Sequence, residues 1–287
     1  MKTLPKSVLT HEQSVDALVK TIRIPPRPSL LADVQKELAA EDPSPRRLAK
    51  IIADDVAMSA SLLKLTNSSF FGLRLKARSV DHAVDLLGLE QCGLLMTGII
   101  ARQTVGTTGA ALVKFWNFST NRAQAITYLA RHMRVCSIDA AHTFGLFCDI
   151  GVPLLLERFA DYSATLRTAN AEFAAMFTSI EDAQHMTNHA SIGALMARTW
   201  GLPEEVSTAI LLHHDYRVLE DAATDESIKG LIALSLLAEY AIYQYDGQDV
   251  FAEWEKGGEF ACHFLGISRD EAADKIEELH EMFNQLH

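Results

Sequence analysis

The sequence predicts an all-α protein, on three observations. Apolar residues recur every three or four positions along most of the chain. No alternating run of β-branched and aromatic residues is long enough to build a sheet. The helical stretches are punctuated by the residues that start and stop helices, Ser or Pro at one end and Gly at the other. Composition agrees. With 287 residues, 48% of them hydrophobic, and only 15 Gly and 8 Pro, the chain can bury a sizeable core.

Taken in order, Pro25 and Pro26 favour extended backbone before a first helix is entered past Pro28. Ser44 is an N-cap, with Pro45 at the first helical position, for a helix running to about Ala53. Val56, Ser59, Ala60, Leu63 and Asn67 share one helical spacing in the next. Asn67, Ser68 and Ser69 end it with side chains that bond nearby backbone, Phe70 and Phe71 anchor the turn, and Gly72 breaks the chain. Ser79 caps the following helix, and Gly88 supplies a left-handed cap, making Leu86, Leu87 and Leu89 a helix-to-helix corner. Leu89–Gln103 is the most apolar stretch and is expected at the centre, before a Gly- and Thr-rich break.

Helices are then expected at about Val113–Arg134, Ile138–Phe159 and Ala190–Trp200, the last stopped by Gly201. Glu204–His214 and Lys229–Tyr243 follow, then a short segment near Phe251–Phe264. Ser268 and Glu271 form a capping box for a final helix to about Leu286, whose stripe of Ala272, Ile276, Leu279 and Phe283 suits it to cap the domain or, as the lesser alternative, to dock a partner. No repeat of fixed period or low-complexity segment interrupts this pattern. The expected organisation is an extension over residues 1–20, a domain over 21–245, and a helical extension over 246–287. Within the domain, 21–110 forms an N-terminal helical part and 111–245 a second part.

Charge and cysteine usage exclude several function classes. The formal net charge is −11 at pH 7, which disfavours direct nucleic-acid binding, a task that needs clustered Lys and Arg. Arg23, Arg27, Arg46 and Arg47 are a local exception, expected to form a solvated surface. Cys92, Cys136, Cys148 and Cys262 are far apart, as reduced thiols rather than a disulfide framework or a zinc knuckle. No apolar run reads as a membrane span, and the N-terminus lacks a signal-peptide core, so the cytoplasm is the expected location.

The chemistry concentrates around Gly145-Leu146-Phe147-Cys148-Asp149-Ile150-Gly151. This stretch resembles the G-L-L-H-D-I-G motif of HD-superfamily phosphohydrolases, in which the His-Asp pair holds catalytic metal. Here Cys148 stands where the His is expected. Earlier segments, Ile24-Pro25-Pro26-Arg27-Pro28, then SASLLKLTNSSFFGL, then SVDHAVDLLGLEQCGLL, match in order and spacing the HDOD family, the HD-related output domain of bacterial signalling proteins. The similarity continues through Trp116, Ser119 and HASIGALMARTWGLPEEVSTAILLHHD to about residue 245. It implies an HD-domain-like multi-helix bundle and a role in signal transduction, with a protein partner or a nucleotide as ligand.

The resemblance also implies a metal-ligand set, and this chain departs from it. Phe118 falls where the superfamily's first His is expected, and a phenyl ring has no lone pair. With Cys148, two imidazoles are lost. Asp149, His189, His213 and His214 remain, and Glu239 corresponds to the final superfamily Asp. Val152 stands where a cation often follows the motif. Physical alternatives stay open for each survivor. Asp149 can serve as a buried carboxylate bonded to a neighbouring His, and His189 can simply open its helix. Adjacent helical side chains diverge by about 100°, so His213 and His214 share one site only if the helix ends there. Cys148, with no basic neighbour in sequence, is expected to be an inert thiol.

Two functions follow. The first is a non-catalytic regulatory domain on a degenerate HD scaffold, with no cofactor. The second is a weak phosphohydrolase of nucleotides or cyclic dinucleotides, using Mn, Fe, Mg or Zn held by the surviving residues.

Overall fold

Fifteen α-helices and one short 3₁₀ turn make up the computed structural model, which describes residues 22, 24–25, 27–68, 75–106, 109–248 and 250–286; no strand occurs among them. Five helices form the N-terminal part: α1 (Ser29–Leu38), α2 (Pro45–Ala53), α3 (Val56–Thr66), α4 (Val80–Leu87) and α5 (Leu89–Val105). Local signals set their ends. Ser44 Oγ accepts from the Arg47 amide at 3.4 Å, and Ser79 Oγ from the His82 amide at 3.1 Å. Gly88 has φ +80°, a conformation that favours Gly, and α4 turns into α5 there through 119°. Asn67 reaches farther than expected, its amide pairing with Ala77 O at 3.0 Å and Ala77 N at 2.7 Å across the loop. Ser69, Phe70, Phe71, Gly72 and Arg23 lie outside the described residues. Of the other arginines singled out, Arg47 is tied to Glu37 at 3.0 Å.

The second part carries the site. It comprises α6 (Ala110–Met133), α7 (Ile138–Phe147), α8 (Gly151–Arg158), α9 (Tyr162–Asn170), α10 (Phe177–His185), α11 (His189–Thr199), α12 (Glu204–Leu212), the 3₁₀ turn Tyr216–Leu219 and α13 (Glu226–Tyr245). Helices α14 (Ala252–Leu265) and α15 (Arg269–Leu286) complete the chain. The expected short segment near Phe251–Phe264 is a full 14-residue helix. Helix α6 packs along α7, and α13 lies against α6, α12, α14 and α15. The α15 stripe Ala272, Ile276, Leu279 and Phe283 is buried, and its capping box closes reciprocally (Ser268 N to Glu271 Oε2, 2.8 Å; Glu271 N to Ser268 Oγ, 3.1 Å). Helix α5 meets α7, joining the two parts through one core that includes Trp116, Phe144, Phe147 and Trp200. The N-terminal strap is pinned to the second part by Trp200 Nε1, which donates to Pro25 O at 2.9 Å.

Two expectations are corrected. Residues 138–159 are not one helix. Across 148–150 the backbone tightens to three-residue bonds, Ile150 N to Phe147 O at 3.0 Å and Val152 N to Asp149 O at 2.8 Å, which separates α7 from α8. The same stretch, 138–158, has the length and composition of a membrane span. However, 78% of its apolar window is buried inside the bundle, as in a core helix.

Candidate metal centre

The centre is built from two helix ends and one helix break. His189 is the first residue of α11, with the Asn188 side chain capping that helix at 2.8 Å. Helix α12 ends at Leu212, so His213 and His214 leave helical register and both rings turn to the same point. Asp149 enters from the tight turn between α7 and α8. That turn is fixed by close backbone packing: Gly145 lies where a Cβ would come within 2.5 Å of Ala123 Cα, and Gly151 abuts the His189 backbone.

Four donor atoms converge. His189 Nε2 lies 3.2 Å from the Nε2 atoms of both His213 and His214, and 3.3 Å from Asp149 Oδ1. His213 Nε2 lies 3.4 Å from the same oxygen. All four residues place a ligand atom within 4.8 Å of the others. Bonds of about 2.0–2.2 Å to a tetrahedral ion set neighbouring donors about 3.3–3.6 Å apart. The residues therefore fit one divalent cation such as Zn, Mn or Fe.

Each imidazole is oriented from behind, as metal-binding histidines are. The Nδ1 atoms of His189 and His214 each lie 2.7 Å from a buried carboxylate, Glu181 and Glu253 respectively. His213 Nδ1 lies 2.7 Å from Ile210 O. An Nδ1–H donated to these acceptors leaves the Nε2 lone pairs facing inward. Tyr162 bonds Glu181, and Tyr216 bonds Glu253 at 2.6 Å. Burial alone would raise the pKa values of Glu181 and Glu253, but His189 and His214 hold both low, Glu253 at about 2.

Glu239 does not join the cluster. It belongs instead to Arg122, a wholly buried side chain on α6 whose Nη1 lies 3.0 Å from Glu239 Oε1 and 2.5 Å from Asp149 Oδ2. Burial opposes the Arg122 charge, yet Asp149 and Glu239 push its pKa up. Likewise burial would raise Asp149, but Arg122, His189 and His213 hold it well below the carboxylate range. Glu239, buried beside Asp149, is raised. Phe118 packs its ring 5.4 Å from the Arg122 guanidinium and donates nothing to the cluster. Burial pushes the Cys148 thiol far above its ordinary pKa, so it holds its proton.

Arg122, Glu181 and Glu253 were not singled out from sequence. Only Arg122 left a signal: it sits one turn beyond Ser119 on the stripe Trp116, Ser119, Ala123 and Ile126, where a buried residue is due. Outside the cluster lies a cleft of about 1070 Å³. Asp149, His189, His214 and Glu239 form part of its lining, together with Phe118 and Val152. Lys114 and Arg102 add positive charge to its wall.

The cluster gives the protein a pH signature when stripped of divalent ions. Burial lowers the pKa of His189, but Glu181 and Asp149 raise it overall to about 10. Burial and His213 lower His214 to about 4, and burial and Arg131 lower His142 to about 4. The raised His189 contributes stability that is full below its unfolded value near 6.5 and is lost as pH climbs through about 10. The depressed His142 and His214 act oppositely: stability is full above about 6.5 and is lost as pH falls toward 4. Glu253 extends that loss from about 4.5 down to 2. Metal-free protein is therefore expected to resist urea best near pH 6.5. A midpoint that stays level from pH 6.5 to 9 would contradict a protonated His189.

Comparison with known proteins gives the following. A family model for the HDOD domain matches residues 24–216. An uncharacterized protein of Treponema pallidum (strain Nichols) is 26% identical over 235 residues, covering 80% of this chain and 44% of that one. The chain thus spans less than half the length of that curated relative. A candidate phosphohydrolase from Shewanella amazonensis SB2B superposes with TM-score 0.69 at 21% identity, covering 96% of this chain and 98% of that one. A candidate signal transduction protein from Marinobacter aquaeolei VT8 gives 0.71 at 18%, covering 97% and 64%. An HDOD domain protein of unknown function from Geobacter sulfurreducens gives 0.70 at 18%, covering 98% and 99%. At these identities the structures share the fold.

Proposed function

This chain belongs to the HDOD family, a degenerate branch of the HD phosphohydrolase superfamily, and from that premise we propose that it is a non-catalytic signal-transduction domain working in the cytoplasm. It binds a protein partner, or a small ligand such as a nucleotide, through the cleft above the cluster. One observation carries this reading: three imidazoles and one carboxylate close around a single point. Structural metal sites are closed by four protein ligands, whereas hydrolytic sites keep a position open for water. An ion held by Asp149, His189, His213 and His214 would supply Lewis acidity, but with four protein donors it would have fewer positions left for water than a three-ligand site has. The likeness to the candidate signal transduction protein of Marinobacter aquaeolei is in keeping with this.

A weak metal-dependent phosphohydrolase is the competing function, favoured by the way the cleft reaches Asp149, His189 and His214. Metal content and turnover measured on the same sample separate the two. Wild type is expected to hydrolyse a panel of phosphodiesters and cyclic dinucleotides no faster than an Asp149→Ala variant does. Stoichiometric metal, lost together with hydrolysis in that variant, would overturn the regulatory reading.

A further inference from the structure

We propose that Arg122 is a resident cation standing where a second divalent ion would bind, and that it keeps the centre in a one-ion form. The Asp149 carboxylate is split between two positive environments. Its Oδ1 faces the imidazole cluster at 3.3 Å (His189) and 3.4 Å (His213), while its Oδ2 rests on Arg122 Nη1 at 2.5 Å. A carboxylate shared this way is how two ions about 3.5–4 Å apart are bridged in two-metal sites. Here the second position holds a nitrogen instead. That nitrogen also takes the remaining carboxylate, Glu239 Oε1, at 3.0 Å, and Glu239 receives the Ser235 hydroxyl at 2.9 Å. One charged group therefore satisfies both acids that a second ion would need.

The guanidinium is held there rigidly. Its Nε donates to Gly145 O at 3.0 Å, its side chain has no exposure, and the Phe118 ring lies over it. Gly145 permits this, because α7 approaches the α6 backbone at Ala123 too closely for any larger residue. Nη2 is buried without an acceptor among the described residues, so the group is retained for its charge rather than for a full set of hydrogen bonds. An arginine keeps that charge at every accessible pH, and unlike an ion it cannot exchange. It also cannot polarise a phosphoryl oxygen from a position walled off by Phe118.

The inference concerns the centre used in the proposed function but does not depend on its inactivity. Turnover by wild type would overturn that function and leave the ion count untouched. The test counts Mn²⁺ bound to full-length protein after equilibrium dialysis, in wild type, Arg122→Gln, Arg122→Lys and Arg122→Gln/Glu239→Gln. Arg122→Gln is expected to bind one ion more than wild type and to show the spin-coupled Mn²⁺ resonance of a paired site. Arg122→Lys, which keeps the charge, and the double variant, which removes the second acid, should both match wild type. If Arg122→Gln is unfolded without metal, Mn²⁺ should restore its helical circular dichroism. Equal counts in wild type and folded Arg122→Gln would overturn the proposal. So would two ions in wild type, or an unfolded Arg122→Gln that Mn²⁺ fails to recover while the double variant folds.

Discussion

Gly151→Ala is expected to cost about 3 kcal/mol or more and to pull the centre apart. An added Cβ would collide with His189 O, and would sit 2.8 Å from His189 C and 2.9 Å from Gly193 N. All three are backbone atoms, so no rotamer change relieves the overlap. Helices α8 and α11 must separate instead, and His189 moves with the end of α11 to which it belongs. Urea denaturation checks this, with Gly98→Ala as control. There the Cβ meets only the tip of the Leu146 side chain, at 2.7 Å, which can swing aside. A Gly151→Ala protein as stable as the Gly98→Ala protein would show that α8 and α11 are less tightly apposed than the structure has them.

Asp149→Ala is expected to be the second costly change, by about 3–5 kcal/mol, because removing one partner of a buried ion pair leaves the other uncompensated. Arg122 would keep Glu239 as its one remaining carboxylate partner among the described residues. The same substitution removes one of four donors from the imidazole cluster, so metal affinity should fall along with stability. Asp149→Asn separates the two effects. It keeps the volume and one oxygen while discarding the charge, and should lose most of the stability that Asp149→Ala loses. Wild-type stability in either variant would mean that Glu239 alone satisfies Arg122.

Much of this was legible in the sequence because it is local. Ser44, Ser79 and the Ser268–Glu271 box mark helix starts through contacts only three residues long, and each closes as expected. Helices α9 and α10 carry no such mark. They are nine residues each and their preceding residues, Asp161 and Met176, make no side-chain cap. Asp149, His189, His213 and His214 were legible through family resemblance, but their convergence was not. It depends on α12 stopping at Leu212, where no breaker residue stands, and on the tight turn at 148–150, whose only sequence marks are the Gly151 and Pro153 that follow it. Least visible were the acids and the cation behind the cluster. Glu253 meets His214 across 39 residues of chain and Arg122 meets Glu239 across 117, and nothing in the spacing along a sequence encodes such meetings.

The strap at Pro25 has a mechanical consequence. Helix α11 runs from His189 to Thr199, about 16 Å of stiff rod at 1.5 Å per residue, and Trp200, which grips the strap, is the next residue. Its two ends are therefore not independent levers. A displacement of α11 at the strap would be carried to the imidazole at its far end. Donors spaced for bonds of about 2 Å tolerate little such play. The residue that holds the strap and the residue that opens the imidazole cluster thus stand at opposite ends of one helix.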